Sequence, residues 1–469
     1  FSDQDKFEEK TMDHFSPSAA CAEFAADLSY DSIPPEALDL IRRDILDWTG
    51  CALAGSRDRA AVPIQKTAEL LGGKAEASVF GNRDKTDLRT AAMENGYFGH
   101  IFEMDDVDRE SISHPATVVM PGAMALGEWQ KKTGREVLTA IVAGFEVMLR
   151  IGAAITPAHY AIWHTTSTAG VFGAAAASGR MLGLTNQQMQ WALGNAGTLA
   201  CGLWQFNPDG AMSKFLHAGN AAGNGILVSL MAQNGFSGAT HILEGKQGFF
   251  AGYARQSVNF DLFRDFGRVW RSASVSFKPY PCCRHTHSAI DAALSIREQL
   301  TRHPGDPIRH LTVHTYGTAL SIAGKTAPAT GRDAKFSISY CVASTILRGT
   351  PVEASFAADA VSDPAVSGLL SCTDVIDDPS LDAMVPKNWP CRIEAELGSG
   401  EILTAQVKAP KGDPENRVSW EECEMKFRTM TLDILDDAQV KAIVDLAKHF
   451  DDIPDFSREN PFLIANRNL

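Results

Sequence analysis

The sequence predicts a mainly α-helical protein, with a large all-helical domain formed from both chain ends and a smaller α+β domain inserted between them. Apolar residues recur at helical spacing up to about residue 266, strand-like alternation and a hairpin signature follow, and helical spacing returns after residue 410. A chain of 469 residues is also longer than one hydrophobic core usually serves. We therefore place the helical domain at 1–266 and 410–469 and the α+β domain at 267–409.

The first clear helix is predicted between Pro34 and Gly55, because proline favours a helix start and glycine a helix end. Its buried face would consist of apolar residues at helical spacing, namely Leu38, Ile41, Ile45 and Trp48. The charged residues between them, Asp47 included, are expected on the opposite, polar face.

Three later segments, 140–152, 170–184 and 218–232, are rich in alanine and glycine, which lets helices approach closely. The segment that begins at Thr166 is apolar on nearly all sides, so we expect it to form a central buried helix. The apolar stretch 138–155 is interrupted by charged residues and is predicted to be a core helix rather than a membrane span.

The inserted domain is predicted from a change of period. Residues 310–317 alternate apolar and polar like a half-buried strand, and 398–401 resemble the turn of a hairpin between 392–397 and 402–407. Helices are predicted within and after this domain, at 290–300, 337–347, 420–431 and 437–450.

Charge and cysteine content limit the classes of partner and compartment. A formal net charge of -14 disfavours nucleic acid and anionic membranes as partners, since both need a basic surface. It also means that a small anionic substrate would need a local concentration of Lys, Arg and His. Nine scattered cysteines without a C-x-x-C pair, and a polar, acidic first ten residues, favour a reducing, cytoplasmic location.

The segment 278–287 is the densest group of reactive side chains. It contains Lys278, Arg284, His285 and His287 together with two cysteines, which favours an anion site with acid–base chemistry. A strand with a solvated basic turn is the structural alternative. A zinc site is poorly matched, because the ligand spacing is too short for a tetrahedral set and on an extended chain only alternate residues would share a face.

A second group surrounds residue 105. Glu103, Asp105 and Asp106 lie in an acidic run, with His100 before it and His114 after it. The run lacks the glycine and closing glutamate of an EF-hand, and a magnesium site is possible but unspecific. The alternative is a solvated acidic turn, although a loop held between buried segments often carries functional residues.

Two further places in the sequence carry candidate site residues. His164 precedes the central buried helix, whose N-terminus favours an anion such as a ligand carboxylate, although it could instead be a capping residue. Lys214 and His217 stand one helical turn apart at the start of another small-residue helix, with Ser213 as the expected cap.

Over nearly its whole length the chain resembles the MmgE/PrpD family, which includes 2-methylcitrate dehydratase, cis-aconitate decarboxylase and iminodisuccinate epimerase. The resemblance rests on several blocks in order, namely 100–106 with His114-Pro115, Trp163-His164, Lys214-x-x-His217-Ala-Gly219, 243–250, 278–287 and Lys335-Phe-Ser337. It implies a helical domain with an inserted α+β lid, an active site in the cleft between them, a homodimer, and activity without metal or organic cofactor.

The resemblance also implies which residues form the site. The catalytic candidates are His114, His164, Lys214, Lys278, Asp105 and Asp106. The candidates for substrate binding are Glu103, Arg284, His285, His287, Tyr316 and Tyr160. The family pattern often has Asp-φ-Asp-Asp where this chain has Glu103-Met-Asp-Asp, so which carboxylate faces the ligand stays open.

The family's chemistry starts at a weakly acidic proton near a carboxylate, which requires a placed base and stabilisation of the resulting negative charge. We therefore expect a lyase or isomerase acting on a small di- or tricarboxylate. Loss of a hydroxyl would give a dehydratase, loss of CO2 a decarboxylase, and return of the proton to the other face an epimerase. A metal-dependent hydrolase and a non-catalytic carboxylate-binding protein are the alternatives from other classes.

Overall fold

The structure, a computed structural model, describes residues 15–82 and 84–468. The prediction of a mainly helical protein is confirmed, because 58% of the structure is helical and the strands of the described residues form one four-stranded sheet. The helices that precede the sheet are α1 Pro17–Asp27, α2 Pro35–Arg57, α3 Val62–Leu71, α4 Leu88–Gly99, α5 Ala116–Gln130, α6 Gly134–Ile155, α7 Thr165–Thr168, α8 Gly170–Met181, α9 Asn186–Thr198, α10 Phe206–Asp209, α11 Ser213–Gln233 and α12 Phe249–Tyr253.

The middle of the chain contains both helices and strands. In order, these are α13 His287–Leu300, β1 Ile308–Thr315, α14 Gly317–Ala323, α15 Gly331–Lys335, α16 Ile338–Arg348, α17 Ala358–Val361, α18 Pro364–Leu370, β2 Thr373–Asp377, α19 Pro379–Asp382, β3 Cys391–Leu397 and β4 Ile402–Val407. Three helices follow, α20 Trp420–Met430, α21 Asp437–Lys448 and α22 Pro461–Ala465.

Buried apolar side chains divide the described chain into two regions. One cluster runs from Cys21 to Phe277 and continues from Val418 to Ala465, because α20 and α21 return to pack against α2. Two smaller clusters lie within 280–405. We call the first region the helical core and the second the α+β module. The exact boundaries at 266 and 410 stay a prediction.

Helix α8 lies at the centre of the helical core, as predicted. It packs against α5, α6, α9 and α11, and nearly all of its residues are buried. Close approach depends on glycine: a Cβ atom at Gly173 would lie 2.6 Å from the Cβ atom of Met148 and 2.8 Å from the carbonyl oxygen of Gly144.

Helix α6 has the length and hydropathy of a membrane span, but 94% of its most apolar window is buried inside the protein. It therefore serves as a core helix, in agreement with the prediction for 138–155. Its charged residues Glu146 and Arg150 pair with each other, and Arg150 also contacts Asp265 at 2.9 Å.

The sheet has the strand order β2-β1-β3-β4. Strands β3 and β4 form the predicted antiparallel hairpin, and β1 pairs antiparallel with β3 and parallel with β2. Strand β2 was not predicted, because its sequence Thr-Asp-Val-Ile-Asp is mostly exposed at the sheet edge and lacks a buried face.

Two local expectations were wrong. Asp47 is buried rather than on a polar face, because Lys426 of α20 packs over that side of α2 and its Nζ atom lies 2.6 Å from the Asp47 carboxylate. The segment 278–287 does not stay extended: residues Arg284–Thr286 form a 3-10 turn that leads into α13, so alternate side chains do not share a face.

A substitution at the centre of the core tests this packing. Gly173→Ala is expected to lower the free energy of unfolding by about 1–3 kcal/mol, because the new methyl group overlaps Met148 and the α6 backbone. Gly252→Ala is the matched control, since a Cβ there meets nothing within 4 Å. Thermal and chemical denaturation of both variants would measure the difference, and equal stabilities would contradict close packing at Gly173.

Candidate active site

The candidate site is built on the loop between α4 and α5, residues 100–115. The loop is closed by reciprocal backbone hydrogen bonds between Asp108 and Ser113. A second backbone pair joins Val107 to Ser276, with both N···O distances 2.8 Å. This pairing brings Lys278, two residues beyond Ser276, to the acidic run. The two sequence segments singled out for their chemistry are therefore physically adjacent.

Three lysines fix the backbone of this loop. The carbonyl oxygens of Phe102, Glu103 and Met104 each accept a hydrogen bond from a different ammonium group. The donors are Lys335 at 3.2 Å, Lys278 at 3.0 Å and Lys426 at 2.6 Å, respectively. Glu103 has a φ of 61°, a left-handed conformation that residues other than glycine seldom adopt. The three hydrogen bonds hold this strained segment in place.

Glu103 and the two candidate catalytic lysines form one buried ionic group. Lys214, in the first turn of α11, donates to Oε2 of Glu103, and Lys278 Nζ lies 3.8 Å from the same oxygen. Lys278 is also 3.9 Å from Oδ1 of Asp105. Burial alone would raise the pKa of Glu103, but Lys214 and Lys278 hold that pKa far below its usual range.

Asp105 orients an imidazole that our sequence-based set of candidates did not include. His100 Nδ1 and Asp105 Oδ2 are 2.6 Å apart, and both residues are fully buried. Despite burial, His100, His114 and Lys278 hold the pKa of Asp105 below its usual range. Because the carboxylate accepts the Nδ1 proton, Nε2 is the free position of the His100 ring; it has no hydrogen-bond partner among residues 15–82 and 84–468.

His114 is oriented by the main chain. Its Nδ1 atom lies 2.6 Å from the carbonyl oxygen of Asp106, which can only accept, so Nδ1 carries the proton and Nε2 is the basic atom of the neutral ring. The backbone N–H of His114 donates to the hydroxyl of Thr166, within α7. Burial, followed by the charge of Lys278, holds the pKa of His114 well below its usual range.

His164 occupies the position immediately before α7, as the sequence predicted. Its Nδ1 atom is 3.3 Å from Nδ1 of His217, and its ring lies 5.3 Å from that of Trp204. Burial and the charge of Lys214 lower the pKa of His164. The rings of His100 and His164 are stacked with centroids 5.8 Å apart, so three imidazoles, of His100, His114 and His164, face one another.

The α+β module contributes the opposite wall. His285 Nδ1 is 2.6 Å from the hydroxyl of Tyr316, and the His285 ring stacks on Trp389 with centroids 4.3 Å apart. Burial and Lys278 lower the pKa of His285 to about 3. Across from it, on the helical core, burial keeps the pKa of Tyr160 well above its usual value, and Cys283 and Glu103 add to that rise. These contacts place His285 and Tyr160 within the field of the lysine and glutamate group.

Three residues of the predicted set are directed away from the imidazoles. Arg284 donates to the Asp413 carboxylate, to the Lys411 carbonyl and toward His287, so Arg284 and His287 belong to a neighbouring buried network. Asp106 accepts from the N–H of Ala116 at 3.1 Å, at the start of α5. Of the acidic run, Glu103 and Asp105 are therefore the carboxylates that meet the candidate lysines and histidines.

The charges of the site residues that result from these pKa shifts suit proton transfer. At neutral pH the lowered pKa values leave His114, His164 and His285 uncharged, while Glu103 and Asp105 are ionised. The site thus combines neutral bases with ammonium groups that can stabilise developing negative charge.

The three facing imidazoles could also supply metal ligands, since their nitrogen atoms lie within 4.8 Å of one another. The charges of Lys214 and Lys278, which help to lower the pKa values of His114 and His164, oppose a cation at the same place. The surroundings therefore fit an anionic ligand better than a metal ion.

A cavity of about 330 Å³ opens beside this cluster, between the helical core and the α+β module. It is lined by Tyr160 and Trp204 from the core and by Thr318 and Ile322 from α14. A larger, mainly apolar cavity of about 490 Å³ adjoins Lys278 and Lys426. Trp204 separates the smaller cavity from the imidazoles, since its ring lies 5.3 Å from that of His164.

The final sets of catalytic and substrate-binding candidates left out four residues that lie at or beside the site, namely His100, His217, Asp44 and Lys426. His100 and His217 each stood in a quoted motif, and the one-turn spacing of Lys214 and His217 was the signal for the latter. Asp44 lies between Ile41 and Ile45 on the buried side of α2, which could have marked it as a buried acid. Nothing in the local sequence of α20 signals the contact of Lys426 with the loop.

These elements define a helical protein with a buried acid–base site at the junction of two regions. Comparison with models of known protein families identifies the family. Residues 19–261 match the MmgE/PrpD N-terminal domain and residues 280–451 match the MmgE/PrpD C-terminal domain. The chain belongs to the MmgE/PrpD family, which confirms the resemblance drawn from its motifs.

Similar curated proteins cover most of the chain. A cis-aconitate decarboxylase of Aspergillus terreus is 28% identical over 457 residues, covering 92% of this chain and 93% of the relative. The human cis-aconitate decarboxylase is 27% identical over 440 residues, covering 89% and 88%. A 2-methylcitrate dehydratase of Salmonella typhimurium is 23% identical over 385 residues, covering 76% and 77%.

The influence of Lys278 on His114 can be measured directly. In Lys278→Met the pKa of His114 is expected to rise toward its ordinary value of 6.5, because a nearby positive charge disfavours the imidazolium. NMR titration of 13C-labelled histidine would follow it. His159 is an internal control, because burial alone lowers its pKa to about 4. An unchanged pKa of His114, or an equal shift of both residues, would contradict this electrostatic influence of Lys278.

Proposed function

We propose that the protein is a lyase that acts on a small di- or tricarboxylate of the aconitate or methylcitrate type. The observation that carries the proposal is the meeting of Lys214, Lys278 and the neutral imidazoles of His114 and His164 in one buried group. The names of the curated relatives support the substrate class. A homodimer and a cytoplasmic location are further proposals, supported respectively by the family resemblance and by the free thiols of all nine cysteines.

The residues divide into three roles. His114 and His164 exchange protons with substrate carbon or oxygen atoms, with Nε2 of His114 as the basic atom set by its main-chain contact. Lys278 and Lys214 bind a substrate carboxylate and stabilise the enolate-like charge that develops beside it. Tyr160 and His285, from opposite walls, orient the rest of the ligand.

The same histidines and lysines could serve either dehydration or decarboxylation. In dehydration, a base removes a proton next to a carboxylate and an acid protonates the departing hydroxyl. In decarboxylation, the C–C bond to a carboxylate breaks, its electron pair passes into the neighbouring unsaturated carboxylate system, and an acid returns a proton to carbon. The ammonium groups supply positive charge in both cases, so we propose that the reaction needs neither metal nor organic cofactor.

Proton NMR in deuterated water tests the substrate class. Purified enzyme would be treated with chelator and incubated separately with cis-aconitate, citrate, 2-methylcitrate and iminodisuccinate. We expect product and carbon-bound deuterium with a tricarboxylate. Conversion of iminodisuccinate alone would indicate an epimerase, activity only after a divalent ion is added would indicate a metal enzyme, and binding without conversion would indicate a carboxylate-binding protein.

The role of Lys278 is tested by substitution. Lys278→Ala is expected to lower kcat by roughly 10²–10⁴-fold, because it removes a buried positive charge from the reacting centre. Lys325→Ala is the control, since Lys325 lies on the α+β module and pairs with Asp333 away from the site. Turnover of the Lys278 variant equal to that of the control would remove Lys278 from the mechanism.

A further inference from the structure

A buried carboxylate, that of Asp413, lies where the chain returns from the α+β module to the helical core. It belongs to the turn 410–416 between β4 and α20, and its side chain is fully buried. Its Oδ1 atom accepts from the hydroxyl of Ser276 at 2.7 Å and from Arg284, and its Oδ2 atom accepts from Nη1 of Arg109 at 3.0 Å. One carboxylate therefore joins three separate segments of the chain.

The partners of Asp413 require its negative charge. Arg284 is buried and otherwise donates to neutral groups, the Lys411 carbonyl at 2.9 Å and the ring of His287. Arg109 has a second carboxylate partner in Glu415, also at 3.0 Å. A buried charge is stable when it is paired and hydrogen-bonded, so loss of the Asp413 charge would leave the Arg284 guanidinium without an anion.

The turn is attached to both residues that precede Lys278. Ser276 is held through its hydroxyl by Asp413, and the N–H of Phe277 donates to the carbonyl oxygen of Gly412 at 3.0 Å. Gly412 has a φ of 97°, and a Cβ atom there would lie 2.0 Å from the carbonyl oxygen of Phe277. The two backbones are therefore in close contact immediately before the candidate catalytic lysine.

Asp413 also holds the loop that receives the Lys278 ammonium group. Lys278 Nζ donates to the Glu103 carbonyl at 3.0 Å and lies 3.9 Å from Oδ1 of Asp105, both in the loop 100–115. Arg109, the second partner of Asp413, belongs to the same loop. One side chain thus contacts both the segment that carries Lys278 and the loop toward which Lys278 points.

We propose that Asp413 is a positioning residue for Lys278, and that its carboxylate holds Ser276 and the loop 100–115 at the spacing that the lysine needs. The kinetic consequence of this role rests on the proposed function. Asparagine at position 413 keeps the size of the side chain but has no charge and a single acceptor oxygen. It therefore cannot satisfy the hydroxyl of Ser276 and both guanidinium groups.

The kinetic experiment is a double-mutant cycle between Asp413 and Lys278. Asp413→Asn alone is expected to lower kcat by about tenfold or more, because a small displacement of a reacting group is costly. Added to Lys278→Ala, the same substitution is expected to lower kcat by less than about twofold further, since the group through which it acts is already absent.

Titration of His114 by NMR gives a readout that needs no substrate. The groups that act on its pKa are Lys278, Asp105, His100 and Lys214. Asp413→Asn is expected to raise the pKa of His114, because the Lys278 ammonium moves away from the ring. Loss of the Asp413 anion by itself has the opposite sign and could only lower that pKa. In Lys278→Met, adding Asp413→Asn should cause no further rise.

Glu128→Gln is the matched control. Glu128 is also buried, and its carboxylate accepts from the N–H and hydroxyl of Ser78 and from Lys85 at 2.7–2.8 Å. It lies near the last residue of α5, whereas the site adjoins the first turn of that helix. Glu128→Gln should lower the melting temperature without changing kcat or the pKa of His114, which separates loss of a buried ionic group from the positioning of Lys278.

The possible results lead to different conclusions. A wild-type kcat with an unchanged His114 pKa in Asp413→Asn would overturn the role, and so would an equal loss of kcat in the Lys278→Ala background. If Asp413→Asn does not fold, Ser276→Ala removes the neutral hydrogen bond alone; a smaller rise in the His114 pKa supports the role and no rise overturns it. If wild type converts none of the carboxylates, the proposed function fails, whereas the His114 titrations still decide the role of Asp413.

Discussion

The site depends on three hydrogen bonds to three successive carbonyl groups. Phe102, Glu103 and Met104 present their carbonyl oxygens to lysines from the α+β module, from the segment that joins it to the core, and from α20. Each lysine needs acceptors because it is largely removed from water, and each carbonyl is fixed by the lysine it satisfies. The loop thereby holds three parts of the chain that lie up to 322 residues away from it in sequence.

This arrangement explains how an acidic protein maintains a cationic site. Lys278 and Lys214 share the Glu103 carboxylate, Lys426 faces Asp47, and Lys335 faces Glu353 at 2.9 Å. Buried charges are stable when they are paired and hydrogen-bonded, so the acids around the site stabilise the lysines. The lysines in turn keep the nearby imidazoles neutral, and neutral imidazoles are what a proton-abstracting site requires at neutral pH.

Local patterns predicted most of the fold and part of the site. The helical period located α2 and α8, and alternation with a glycine turn located the β3–β4 hairpin, since each of these signals depends on residues close in sequence. The direction of Asp106, the burial of Asp47 and the contact of Lys426 with Met104 depend on packing between distant segments. Strand β2 was missed for a related reason, because a polar edge strand is specified by its neighbour β1 rather than by its own period.

The geometry also explains how relatives with different reactions can share this fold. The rings of His100 and His114 are oriented by Asp105 and by the Asp106 carbonyl, which belong to the protein and not to a substrate. Proton transfer is therefore prepared in advance by α4, α5 and the loop between them. The neighbouring cavity is lined by other elements, namely by Trp204 of the core and by residues of α14 in the module. Because these two sets of residues lie on different elements, the cavity walls can change while the acid–base group is kept, and relatives named for decarboxylation and for dehydration are both found at 23–28% identity to this chain.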